Sequence, residues 1–294
     1  MSRPAVAFLI LAHRGPEQLG RQARRLLSPR SSIYLHIDRK TQPALFSAIR
    51  AALPEHPHLH LLDRMSTPWA SWNTVEAYLR GLQRILDEPE PPEHIVLFSG
   101  QDYLLRPVER IVDFLEPYAG QTFAATWPMP SDVYGPDGGM WRIRYWHTPI
   151  RRRRFRIPLP RPYPAGVRPY GGSAFMVLDR ATAQSILDYT REHPEVPRFH
   201  HHVWAVDEHY LQTALNNCER SGVVIGEHLW HMEWTLGAAH PHTFTLDDFE
   251  RLADSARNSS EAGGVSRAKL FARKFHDEVD SRILDRIDEE LLSA

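Results

Sequence analysis

"IYLHIDRK", residues 33–40, is the stretch on which the reading of this chain turns. Ile33, Tyr34, Leu35 and Ile37 are strand formers, and the run then breaks into Asp38-Arg39-Lys40. An apolar run that stops at charges reads as a buried strand with a polar tip. Ligands of open α/β sheets bind outside the carboxyl ends of such strands. A diphosphate held there through a divalent metal calls for carboxylates at the tip. Here one carboxylate is followed by two cations, so a phosphate bound at this tip needs its charge balanced from elsewhere.

The neighbouring segments repeat the alternation. "AVAFLILA" (5–12) reads as a first strand and residues 15–28 as a helix opened by Gly-Pro. Residues 32–38 form the second strand, 43–53 a helix, 59–64 a third strand and 71–88 a long amphipathic helix. "HIVLFSG" (94–100) is apolar enough for a central strand. Strand and helix alternating at this spacing predict an α/β fold with a mainly parallel sheet flanked by helices. Residues 127–170 are rich in Pro, Gly and Trp and read as long loops, the usual place for a substrate pocket. Beyond them come a strand at 172–178, helices at 180–193 and 206–217, and a helical tail over 267–292. The polar stretch "NSSEAGG" (258–264) reads as mobile. No linker divides the chain, which predicts one domain over 1–294: a nucleotide-binding half (1–110), an acceptor and catalytic half (111–250) and a C-terminal segment (251–294).

Composition sets outer limits. The chain has 294 residues, 42% hydrophobic and 24% charged, as in ordinary soluble domains. A net charge of −1 gives no overall drive toward nucleic acid or anionic membrane. Cys218 is the one cysteine, so no internal disulfide forms and a cytoplasmic location is the expectation. Residues 5–12 are too short to span a bilayer, which leaves at most peripheral attachment at the inner face of a membrane. No phosphate loop, dinucleotide glycine fingerprint, Gly-x-Ser-x-Gly elbow or Cys-x-x-Cys occurs.

Three constellations carry chemistry, each beside a plainer reading. In "LFSGQDYLLRP" (97–107), Ser99 and Gly100 permit close backbone approach by a ligand and Asp102 supplies a carboxylate; the plainer reading is a strand-to-helix turn. In "WAVDEHYLQTAL" (204–215), Asp207 is placed to cap a helix and Glu208 sits in its first turn, where the dipole favours a charged carboxylate. That suits a general base, although Asp-Glu at a helix start is also an ordinary cap. In "LFARKF" (270–275), Leu270, Phe271 and Phe275 recur at helical spacing, leaving Arg273 and Lys274 on a basic shoulder suited to a diphosphate or simply to solvent. "HHHVW" (200–204) and "HPH" (240–242) lack metal-ligand spacing. "RRRRFR" (151–156) is compatible with a polyanion.

Taken in order, "AFLILAHRGPEQLGRQARRLL", "IYLHIDRK", "WASWNTVEAYLRGL", "LFSGQDYLLRP", "GGSAFMVLDR", "DEHYLQTALNN", "HPHTFTLDDFERLADS" and "LFARKF" resemble one family, the core-2/I-branching and peptide O-xylosyltransferase family (glycosyltransferase family 14), in a bacterial-type form. The resemblance spans nearly the whole chain. It implies a GT-A fold, Rossmann-like, and an inverting transfer of GlcNAc or xylose from a UDP-sugar to a hydroxyl of a glycan or other acceptor, with no cofactor and no metal. Glu208 matches the family's base. Leu11, His13, Asp38, Trp69, Arg273 and Lys274 fall in the donor site, with Asp38 on the uridine and the two cations on the diphosphate. Asp102, Trp141, Arg142, Gly172, Ser173, Ala174 and Trp234 fall in the sugar and acceptor pocket, with Trp146 beside it.

The branch signals conflict. The xylosyltransferases carry an aspartate where this chain has Ala174, as the N-acetylglucosaminyltransferases do, whereas "FARKF" and "MWRIR" (140–144) look like the xylosyltransferase branch. The branching enzymes' second phosphate-binding arginine falls near His242. Partners implied are the UDP-sugar and its acceptor, not nucleic acid. The alternatives are a non-catalytic glycan-binding protein on the same fold and a polyanion-binding protein acting through Arg151 to Arg154.

Overall fold

The computed structural model describes residues 4–150, 153–219, 223–235, 240–258, 260–262 and 265–293. Strand β1 (Val6–Ala12) sends alternate side chains into two different apolar cores. Val6, Phe8 and Ile10 enter one; Ala7 and Leu9 enter the other. β2 (Ser31–Ile37) and β4 (His94–Ser99) divide likewise, with Ile33, Leu35, Val96 and Phe98 on the first side and Tyr34, Ile95 and Leu97 on the second. This is why the runs are mostly apolar with no alternation: a strand covered on both faces has no solvent side to mark with polar residues, and of the polar residues these strands do carry, Ser31, Ser32, His36 and His94 are buried.

These strands and β3 (Leu59–Leu61) belong to a seven-stranded sheet in the order Val223–Ile225, Gln121–Phe123, Val177–Asp179, β4, β1, β2, β3. Neighbours run parallel except at Val177–Asp179, which is antiparallel to both its partners. The expected mainly parallel α/β sheet is therefore the fold of the chain. Helices α1 (Pro16–Leu26) and α4 (Val108–Leu115), with Phe249–Arg257 and Arg282–Glu290, close the first core. α3 (Trp72–Leu86), Arg180–Glu192 and Tyr210–Asn217 close the second. α2 (Pro43–Ala52) packs on α1. α3 lies so near β1 that a Cβ on Gly81 would stand 2.4 Å from Leu9 Cδ1.

From β1 the chain runs outward through β2 and β3, then returns to place β4 on the other side of β1. The order reverses between β1 and β4, so the crevice of an open α/β sheet opens beyond their carboxyl ends. There Gly100 follows β4, and a Cβ on it would stand 3.1 Å from the Ala12 Cβ.

Four expectations are corrected. "LFARKF" is not helical: Phe271–Arg273 is a strand, between Trp230–Met232 and β5 (Asp102–Leu104) in a second sheet of three strands. Covered on both faces, a short apolar run carries no period to separate strand from helix. The tail is helical only at Arg282–Glu290. The strand expected at 172–178 is split into Tyr170–Gly172 and Val177–Asp179, which belong to different sheets. The helix at 206–217 is a 3-10 turn, Val206–Glu208, followed by Tyr210–Asn217, whose N-cap is His209 and not Asp207. Within 258–264, Glu261–Ala262 pairs with Val265–Ser266; residues 259, 263 and 264 lie outside the described residues.

Candidate active site

Basic side chains, Arg14 and Lys274 with His13 and His276 beside them, converge on the crevice from opposite ends of the chain. His13 and Arg14 leave β1; Lys274 and His276 leave the strand Phe271–Arg273. Arg14 Nε donates to His13 Nε2 at 2.7 Å, and Arg14 Nη1 stands 2.9 Å from His276 Nε2. Gln18 ties the two chain segments together. Its amide donates to Gly100 O and Phe275 O at 2.9 and 3.3 Å, and its side-chain oxygen accepts from Asp277 N at 3.0 Å. Burial and the charges of Arg273 and Arg14 push the Lys274 ammonium below its ordinary value. Burial, with Arg14 next, does the same to His13, and burial, Lys274 and Arg273 to His240. Burial leads in each case and the neighbouring positive charges add to it, and an added anion would offset both.

Arg273 is held differently. Antiparallel register sets it opposite Asp102, and its Nη1 donates to Asp102 Oδ1 at 2.9 Å and to the Ser99 hydroxyl. Its guanidinium lies 4.5 Å from the Phe175 ring centre. Asp102 is fully buried and also accepts from Ser99 N at 2.7 Å. Burial pushes its carboxyl up, against the pull of Arg273. Asp102, expected in the sugar pocket, thus lies beneath Arg273, where no acceptor reaches it. The Arg273–Lys274 peptide is cis.

Glu208 Oε2 accepts from Arg142 Nη1 at 2.6 Å, with the carboxylate 33% exposed. Arg142 comes from α5 (Met140–Arg144) and lies 4.5 Å over the Tyr134 ring. The adjoining His209 is fully buried, and burial, helped by Arg142, pushes it down to about 3, so it stays neutral. An arc of rings joins this pair to the cations: Trp141 is 6.0 Å from Trp204, Trp204 is 5.6 Å from Trp69, and Trp69 is 5.8 Å from His240. Ala70 and Ala205, each directly after a tryptophan of that arc, have φ of 56° and 49°. They are the non-glycine residues with positive φ among those described, and such strain collects at functional sites. Trp69 is 58% exposed and Trp234 55%.

The remaining expected residues are engaged within the fold. Asp38 Oδ1 accepts from Lys40 N at 2.7 Å, and Oδ2 from Thr67 N and Thr67 Oγ1 at 3.2 and 3.1 Å, so Asp38 fastens the loop beyond β2. Leu11 O accepts from Gly100 N at 3.0 Å. Gly172 N donates to the Tyr134 hydroxyl at 3.0 Å, and a Cβ there would strike Ala125 O at 2.2 Å. Ser173 O accepts from Gln212 at 2.7 Å, and Ala174 is buried. His242 contacts Asp248 at 2.9 Å. The consecutive histidines part company: His200 is buried with Nδ1 against Val196 O, His201 stacks on Trp72, and His202 lies against Trp146. Among the described residues no three His, Cys, Asp or Glu group as a metal ion would require. Arg151 and Arg152 lie outside the described residues.

The sequence reading missed Arg14, His276, Tyr134 and Trp204. Arg14 carried a signal, since it stands between His13 and Gly15 at the tip of β1. His276, 262 residues from Arg14, is joined to it only by folding.

The family model "Core-2/I-Branching enzyme" matches residues 6–253, and the chain belongs to that family. It is a glycosyltransferase. It is 24% identical to a rat beta-1,3-galactosyl-O-glycosyl-glycoprotein beta-1,6-N-acetylglucosaminyltransferase 3, over 97% of this chain and 68% of that protein. It is 23% identical to rat and human xylosyltransferase 2, over 98% of this chain and 34% of each of those proteins. The chain thus spans about a third of the xylosyltransferases it matches. Among the described residues no helix is long and apolar enough to cross a membrane.

Proposed function

We propose that the chain moves GlcNAc or xylose from a UDP-sugar to a hydroxyl of a glycan or other acceptor, with inversion and without a divalent metal. The observation that carries this reading is the set of cations at the sheet's switch point, with the Glu208–Arg142 pair on the far end of the tryptophan arc. Arg142 occupies Glu208 Oε2 and leaves Oε1 to take the acceptor's proton. The acceptor oxygen bonds to the anomeric carbon as the bond from that carbon to the phosphate oxygen breaks, and UDP departs with the electron pair. Charge grows on the leaving phosphate, where fixed cations act most strongly. Arg273 is already paired with Asp102, so the net charge facing the phosphates rests on Lys274 and Arg14. Asp38 lines the uridine end. Relatives named for GlcNAc and for xylose match almost equally, which supports both donors alike.

Lys274→Ala should therefore weaken UDP by about 1.5–3 kcal/mol, the range for a hydrogen bond to a charged group. Uridine, lacking phosphates, should bind the variant as it binds the parent chain. Calorimetry with both ligands checks this. Equal losses for the two would mean a damaged fold, and no loss for either would take Lys274 out of the site.

A further inference from the structure

Between Asp137 and Asp179 the chain holds nine arginines and no aspartate or glutamate, although its net charge is −1. The centre of this segment is the two-stranded ribbon Tyr145–Ile150 and Arg153–Pro160. Register sets Trp146 opposite Ile157 and Thr148 opposite Phe155, hence on one face, and Leu159 follows in the irregular step between the Ile157 and Pro160 pairs. Phe155, Ile157 and Leu159 are 46%, 40% and 64% exposed, and Trp146 is 38% exposed. The opposite face is anchored inward through His147, which is buried; its N donates to His202 O at 2.9 Å, and its Nε2 lies 3.1 Å from Trp141 O. Exposed apolar side chains grouped on one ribbon, with arginines before and between them in sequence, mark an interaction surface.

We propose that this ribbon docks the protein on an anionic lipid surface. The segment's positive charge would be drawn to the headgroups, and Phe155, Ile157 and Leu159, all exposed, would enter the acyl boundary. Charge complementarity selects an anionic partner. The apolar face then selects a bilayer over a nucleic acid or sulfated glycan, which offers nothing to Ile157 and Leu159. Trp146 suits the interface between the two layers. Because the ribbon grows directly from α5, docking would set the Arg142–Glu208 end of the crevice close to the membrane. The inference stands independently of the sugar and acceptor proposed above.

The test is flotation of the full chain with phosphatidylglycerol–phosphatidylcholine vesicles and with pure phosphatidylcholine vesicles. The chain should float with the first and not the second. Replacing Arg151 to Arg154 by glutamine should lower the partition coefficient roughly 10²–10³-fold, at about a three- to fivefold loss per arginine. The variant Phe155→Ser/Ile157→Ser/Leu159→Ser should lower it at least about tenfold. A cooperative thermal unfolding transition like the parent chain's reports that each variant is folded. In the unmodified chain, vesicles should slow amide exchange over residues 145–160. No flotation, flotation unchanged in the serine variant, protection confined to other segments, or a dimer of the parent chain that the serine variant abolishes would each overturn the proposal.

Discussion

Glu208→Gln should bind UDP as tightly as the parent chain and turn over about 10²–10⁴-fold more slowly, the usual size of a general-base contribution. The amide keeps the shape of the side chain and can still accept from Arg142 Nη1 through its oxygen, so the 2.6 Å contact has a replacement. What it loses is the capacity to take a proton at the second oxygen. The donor's phosphates are assigned to Lys274 and Arg14, which Glu208 does not contact, so donor affinity and turnover should separate. UDP titration beside steady-state kinetics reads the two quantities independently. Near-normal turnover would remove Glu208 as the base, and a matching loss of UDP affinity would make it a structural residue.

Asp102→Ala should destabilise the fold by about 3–5 kcal/mol in urea unfolding, the cost of removing one partner from a buried ion pair. Arg273 would be left against Phe175 with its principal carboxylate gone, and Ser99 N would lose its acceptor. Asp102→Leu combined with Arg273→Met should recover most of that loss, because two apolar side chains need no mutual neutralisation. The recovered double variant should still bind uridine. A loss below about 1 kcal/mol in Asp102→Ala, within the range of an exposed pair, would show that Arg273 draws its position from elsewhere.

The central sheet was legible because its information is local. β1, β2 and β4 are short, mostly apolar runs followed by Gly or charge, and each meets two cores. The second sheet was not legible. Phe271–Arg273 owes its strand conformation to Trp230–Met232 and Asp102–Leu104, neighbours far away in sequence, and its apolar spacing fits a helix equally well. For the same reason Asp102 read as a pocket residue: only the register that sets it opposite Arg273 reveals it as a buried counter-charge. Arg142 was named for the acceptor side, but its bond to Glu208 joins positions 66 residues apart and has no sequence signal. The split of residues 172–178 follows from Gly172, which must pass within a Cβ's reach of Ala125 O and turns toward a different partner strand.

The measurement closest to the central claim is release of UDP from UDP-GlcNAc and from UDP-xylose by chelator-treated protein, followed without added acceptor. Water can then take the acceptor's place, slowly, while the leaving-group site does its full work. If Lys274 and Arg14 supply the charge that stabilises departing UDP, one of the two donors should be hydrolysed at the same rate in excess EDTA as without it, and Lys274→Ala should abolish that rate. Hydrolysis lost to EDTA and restored by manganese would contradict the account, as would the absence of UDP release from both donors.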